Sequence, residues 1–119
     1  MNTIINIVDG DYSDIQLLNN IFKTYNIQAE LIKENTDNQN LGVIDVVAAF
    51  LIAMPVLNDF VSAISPALVA FINAKKATGT KKTIELISGD KKLIITDEKG
   101  DLLSEDEINK LIRKTGFMF

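Results

Sequence analysis

Four oxygen-bearing side chains follow the first apolar run of the chain at a spacing that could serve a calcium ion. They are Asp9, Asp11, Ser13 and Asp14. An EF-hand loop counted from Asp9 needs glycine at its sixth position and a bidentate glutamate at its twelfth, and the sequence has Asp14 and Asn20 there. The alternative is a turn at these residues, followed by a helix that Asp11 or Ser13 caps. We favour the turn and the cap.

The side chains that most catalytic and metal sites use are absent from this sequence. It has no Cys and no His, which excludes disulfides, thiolate and imidazole catalysis and the usual zinc ligands. Asp45 and Asp59 are the only charges between residues 43 and 72; helix-end solvation or an interface hydrogen bond is favoured over acid–base work. No phosphate-binding glycine loop, nucleophile elbow or metal-ligand spacing occurs. The sequence therefore predicts a protein that is not an enzyme and holds no cofactor and no metal.

The lysines are crowded into one segment of an otherwise acidic chain. The formal net charge of −4 argues against a general affinity for nucleic acid. No aromatic residue is interleaved with the lysine pairs, so base stacking has no platform. We favour lysines that end strands or protect sheet edges over a basic patch for nucleic acid or anionic lipid. The pairs are Lys75 and Lys76, Lys81 and Lys82, and Lys91 and Lys92.

Apolar periodicity places two strands and a helix at the start of the chain. Residues 3–8 are rich in Ile and Val and predict a strand buried on both faces. Apolar residues at helical spacing predict a helix over residues 12–25, and alternation predicts a half-buried strand over residues 27–31. This order suggests a right-handed βαβ unit with parallel strands.

The stretch from residue 43 to residue 72 is the most hydrophobic part of the chain. It is apolar nearly all round and predicts helices that something else must cover. Pro55 predicts a break in the stretch. Ser65-Pro66 predicts a restarted helix, with Ser as the N-cap, that ends near Lys76.

Local turn and cap signals define the elements that follow. Gly89-Asp90 lies between the apolar runs 83–87 and 93–96 and predicts a hairpin. Ser104 and Glu107 form a capping box that opens a helix. The buried face of that helix is predicted to consist of Ile108, Leu111 and Ile112.

The fold class that follows is α+β. The sequence predicts a single two-layer domain over residues 1–119, in the order β-α-β-(α-α-α)-β-β-α, with about four strands packed on helices. The chain is 47% hydrophobic and 24% charged, as globular chains are. The absence of cysteine suits a reducing, cytoplasmic location, and the first residues lack the basic and apolar regions of a signal peptide.

Part of the 43–72 stretch is expected to be exposed as an interface, because one sheet and short helices cover only part of so long an apolar segment. A homo-oligomer, a partner protein or a peripheral membrane contact would cover the rest. A spanning helix is disfavoured, because Asp59 interrupts the run and a span needs about 18–20 apolar residues. The tail at residues 117–119 is either a second contact or a flap on the core. The expected interface residues are Val46, Val47, Phe50, Leu51, Met54, Phe60, Val61, Phe117 and Phe119.

Three segments of the chain follow one another in a recognisable order. The first is an Ala/Val/Leu-rich helix with a basic end, the second is a pair of strands joined by a Gly-Asp turn, and the third is a helix with an acidic cap. They are SPALVAFINAKK (65–76), TIELISGDKKLIITD (83–97) and SEDEINKLIRK (104–114). In this order the chain resembles the effector-associated constant component family, small accessory domains predicted in bacterial conflict and defence systems. The resemblance implies a non-catalytic adaptor beside an effector such as a protease. We therefore expect an oligomerising interaction module of a bacterial antiphage system; the alternatives are a membrane-active protein and a small phage-encoded inhibitor or immunity protein.

Overall fold

The expected α+β class is confirmed by the computed structural model, which describes residues 2–32, 48–54, 56–96 and 104–114. Within them the chain forms three helices and five strands, so the expected element order and the expected four strands are wrong in detail. The elements are β1 (Asn2–Ile7), α1 (Tyr12–Thr24), β2 (Glu30–Leu31), β3 (Ala49–Ala53), α2 (Leu57–Ala77), β4 (Thr83–Ser88), β5 (Lys91–Thr96) and α3 (Glu105–Lys114).

The strands form one antiparallel sheet in the order β2-β3-β1-β4-β5. β1 and β2 run in the same direction, as the predicted βαβ unit requires, but β3 lies between them. β3 and β4 also run in the same direction, with β1 between them. Both helical connections therefore pass over a strand, which is the split βαβ arrangement of ferredoxin-like folds. β5 and α3 extend that arrangement at one edge.

One face of the sheet is packed against the helices. Phe22 of α1 meets Phe50 of β3 edge to face, with ring centroids 5.2 Å apart, and α2 contacts both α1 and α3. A single apolar core lies between the layers. The strand residues that enter it alternate along each strand and include Ile5, Ile7, Phe50, Ile52, Ile84, Leu86, Leu93 and Ile95.

The prediction that the first strand is buried on both faces is wrong. Thr3, Ile5 and Ile7 are buried, whereas Ile4 and Asn6 between them are only half-buried. A continuous apolar run reads as a strand covered on both sides, but in β1 the second set of side chains faces away from the helices. This difference creates the surface described below.

The 43–72 stretch differs most from its prediction, because residues 49–53 form a strand instead of a helix. The segment AFLIA has no strong strand signal, and its pairing with β1 and β2 decides its conformation. α2 then runs without interruption for 21 residues, with Pro66 inside it. The predicted restart at Ser65-Pro66 is wrong. Ser65 does not cap a helix; its hydroxyl donates to Asn109 Oδ1 and joins α2 to α3.

The local signals near the end of the chain are confirmed. Ser88 pairs with Lys91 across the hairpin turn, and Gly89 supplies the positive φ of 61° that this turn uses. Ser104 Oγ accepts a hydrogen bond from the Glu107 amide at 3.3 Å, which is the first half of the predicted capping box. Ile108 and Ile112 of α3 are fully buried as predicted, but Leu111 is 39% exposed, so its predicted burial is wrong.

Candidate interaction surface

The strand side chains that point away from the helices form a second sheet face, which we call the open face. No helix formed by the described residues packs on it. Its described side chains are half-buried or exposed, apart from Ala49, which is buried. Ile94 on β5 is 55% exposed, although it is a large aliphatic residue. The open face includes Ile4, Asn6, Glu30, Leu51, Glu85, Ile87, Lys92 and Ile94.

One row of side chains crosses the open face from edge to edge, with one residue from each strand. Strand register places Glu30 beside Leu51, Leu51 beside Ile4, Ile4 beside Ile87 and Ile87 beside Lys92. The row is therefore acidic at the β2 edge, aliphatic over the three central strands and basic at the β5 edge. We call it the central row. An apolar centre with polar ends is the composition of a protein contact surface.

A polar cluster lies beside the central row. Lys92 Nζ is 2.5 Å from Glu85 Oε2, and the Asn6 side-chain amide donates to Glu85 Oε1 at 2.8 Å. Both contacts lower the pKa of the Glu85 carboxyl, and the contact with Lys92 has the larger effect. Glu85 is therefore ionised and fixed, whereas the Lys92 side chain is 53% exposed and retains donors for a further partner.

A second charged cluster joins the ends of three elements on the other side of the molecule. Asp14, fully buried in the first turn of α1, lies 2.5 Å from Lys75 Nζ and 2.8 Å from Lys82 Nζ. It also forms a capping box with Asp11, so the predicted turn and helix cap are confirmed. Burial raises the pKa of Asp14. The two lysine ammonium groups and the hydrogen bond from the Asp11 backbone amide outweigh this effect and lower the pKa to about 2.

The Asp14 cluster stabilises the fold and offers little to a substrate. Its carboxylate is inaccessible, and both lysines are engaged with it. The sequence does not reveal this cluster, because residues far apart in the chain have no local pattern that marks them as partners. Lys75 lies in the last turn of α2, so its predicted strand-edge role is wrong, whereas Lys82 directly precedes β4, as the strand-end prediction has it. Lys91 and Lys92 do lie on an edge strand, β5, as predicted.

The predicted interface residues occupy three different environments. Phe50, Phe60 and Val61 are at most 1% exposed in the core of the chain, so their predicted exposure is wrong. Strand β3 turns Phe50 inward, and α2 turns the other two toward the sheet. Leu51 and Met54 are half-buried, and Leu51 lies on the open face. Outside the described residues lie Val46, Val47, Phe117, Phe119 and the carboxylate Asp45.

Asp59 lies at a helix end, and two clefts flank α1. Asp59 is exposed in the first turn of α2, which is the helix-end position that the sequence favoured. A cavity of about 480 Å³ runs along the β2 edge between α1 and the sheet and reaches Glu30 and Leu51 of the open face. Another, of about 440 Å³, lies between α1 and Leu31. Across the described ranges, no helix has both the length and the apolarity to span a bilayer.

Fold and surface together define the class of this chain: an α+β domain of the split βαβ kind with one open sheet face. Comparison with known proteins narrows the class no further. No protein-family model matches the chain, and no curated protein and no solved structure is significantly similar to it. A functional assignment therefore starts from the open face itself.

Proposed function

We propose that this chain is a non-catalytic adaptor that acts by protein–protein contact through the open face. The observation that supports the proposal is the central row, in which Leu51, Ile4 and Ile87 stand side by side across three strands. All three are already half-buried, so a partner adds only part of the about 1.5–3 kcal/mol that full burial of such a side chain is worth. A contiguous aliphatic set of this kind on a sheet is a usual protein contact site.

The context we propose is an accessory role in a bacterial antiphage or conflict system, in the cytoplasm. Support for it comes from the resemblance to effector-associated constant component domains. The segments that show the resemblance form the end of α2, the β4–β5 hairpin and α3, which is the element order that the pattern implies. The class of partner is then an effector such as a protease, together with further copies of the chain.

A membrane contact is the weaker alternative. A membrane contact requires the 43–72 stretch to face lipid, but Phe50, Phe60 and Val61 of this stretch belong to the core. The aliphatic surface that is available includes Glu30 and Glu85. Carboxylates beside an apolar face oppose binding to anionic head groups, so the open face suits a protein better than a bilayer.

The proposal is tested by capture on tagged protein. Tagged wild type and Ile87→Glu are compared for every protein that they retain from an extract of the native host, untagged copies of the chain included. We expect a partner to be retained by the wild type and lost with Ile87→Glu. Gln16→Glu, on the exposed side of α1, is the control and should retain the same partner. An unchanged set of proteins on Ile87→Glu contradicts the proposal.

A further inference from the structure

The charges of the central row are arranged antisymmetrically about Ile4. Glu30 and Lys92 stand at opposite ends of the row, and the aliphatic pair Leu51 and Ile87 flanks the middle. A rotation of the row by 180° about Ile4 therefore puts Glu30 in the place of Lys92 and Leu51 in the place of Ile87. The surface is therefore complementary to a second copy of itself, as the interface of a two-fold dimer must be. Binding of an unrelated partner would not require this symmetry.

If two open faces pack with their strands aligned, two kinds of two-fold axis can bring them together. An axis perpendicular to the strands, in the plane between the sheets, lays every strand over its own copy. It places Glu30 against Glu30 of the partner subunit, and like charges that face each other across an interface are costly. An axis parallel to the strands reverses the strand order, so that β2 lies over β5, β3 over β4, and β1 over β1.

We infer that the open face is occupied by a second copy of this chain, docked about an axis that runs parallel to the strands at Ile4. Ile4 then faces Ile4 of the partner subunit, Leu51 faces Ile87 of the partner subunit, and Glu30 faces Lys92 of the partner subunit. Facing sheets align within about 30° of each other, so these central contacts survive the twist. The inference rests on the proposed function, contact through the open face, and specifies that the partner on this face is a second copy of the chain.

The two ends and the middle of the neighbouring row fit the same axis. The Ile32 amide donates to the Ala49 carbonyl at 2.9 Å, and register continues this row through Asn6 and Glu85 to Ile94. The axis brings exposed Ile94 against Ile32 of the partner subunit. It also brings Asn6 against Asn6 of the partner subunit, where two amides can exchange hydrogen bonds. Lys92 lies between Glu85 and Glu30 of the partner subunit.

Cross-linking of single cysteine variants tests the axis directly, since the chain has no cysteine of its own. Facing sheets stand about 10 Å apart, beyond the reach of roughly 7 Å of a disulfide, so a short bis-maleimide reagent is used on the purified full chain. Ile4→Cys is expected to link to itself and give a species of twice the 13.1 kDa chain mass. Leu51→Cys mixed with Ile87→Cys should also link, whereas each of these two alone should not.

Three results would overturn the inference. Linking of Leu51→Cys to itself would indicate the perpendicular axis. Equal linking of the control Gln16→Cys would indicate random collision. A monomer at every concentration in sedimentation equilibrium would rule out the second copy. A host protein captured through Ile87 together with a strictly monomeric chain would reject this inference and leave the proposed function standing.

A charge variant gives an independent readout. Lys92→Glu places a carboxylate opposite Glu30 of the partner subunit, and we expect the dimer Kd to rise about three- to tenfold. Lys81→Glu makes the same charge change at an exposed lysine between α2 and β4 and should leave the Kd within about twofold. Equal effects of the two variants would show that net charge, and not the central row, governs association.

Discussion

The Asp14 carboxylate holds the first turn of α1 to the end of α2 and the start of β4 through Lys75 and Lys82. Its pKa is lowered from 3.8 to about 2, and a gap of that size corresponds to about 2 kcal/mol of stability near neutral pH. We expect Asp14→Asn to lower the free energy of unfolding by about this amount in urea titrations. Asp90→Asn, a change of the same charge in the exposed hairpin turn, should have little effect.

The same carboxylate sets a direction for the pH dependence. Its folded pKa lies below the unfolded value, so its contribution is complete above about pH 4 and is lost as the pH falls toward about 2. The free energy of unfolding of the wild type should therefore decline over this window. In Asp14→Asn the decline should be shallower by about 2 kcal/mol. Parallel curves for the two proteins would show that Asp14 does not contribute to acid sensitivity.

At the scale of the element, neighbouring residues of β3 should respond differently to the same substitution. Phe50 is fully buried against Phe22, whereas Leu51 points to the open face. Phe50→Glu removes a core aromatic and buries a charge, so we expect a loss of more than about 4 kcal/mol and an unfolded chain by circular dichroism. Leu51→Glu should cost only about 1–2 kcal/mol and keep a cooperative thermal transition.

Sedimentation of the folded Leu51→Glu protein completes this prediction, because it should show the monomer where the wild type shows the dimer. Leu51→Met retains an apolar side chain at the same position and is the matched control. Unfolding by Leu51→Glu as complete as that by Phe50→Glu would mean that β3 is covered on both faces.

Elements marked by short-range chemistry could be predicted from the sequence, and elements fixed by distant pairing could not. Gly89-Asp90 and Ser104 with Glu107 determine the hairpin and the start of α3 within a few residues. β3 has no such marker, because Ala and Leu in AFLIA also suit helices, and pairing with β1 and β2 decides against a helix. The helix restart predicted at Pro66 is wrong for the opposite reason, since packing of α2 outweighs the local cost of a proline.

The open face could not be predicted for a related reason. Ile4 stands in an apolar run that suggests burial on both sides, and nothing local indicates which alternate residues of β1 face the helices. The central row exists only through the register of four strand pairs. Of the residues predicted for the interface and described by the structure, Leu51 lies on this face, because β3 has the alternation of a strand.

For the molecule as a whole, charge and surface composition bear on the class of partner. Ferredoxin-like sheets that bind RNA stack bases on aromatic side chains, and no described side chain of the open face is aromatic. The net charge of −4 adds repulsion from phosphates. We expect no saturable anisotropy change of a labelled single-stranded oligonucleotide at low salt. Binding with a steep salt dependence would show that the lysines act as a basic patch after all.

The central position of β1 has a consequence for how the protein is made. β1 leaves the ribosome first among the strands, yet both of its neighbours, β3 and β4, are encoded later. At translation rates of about 5–20 residues per second, the strand waits roughly 4–16 s for the last residue of β4 to be added. In this interval α1 can form from local contacts, and β3 can pair with one edge of β1. The other edge of β1 has no partner until β4 emerges. We therefore expect the sheet to be completed only then, with one edge of β1 exposed to chaperones in the meantime.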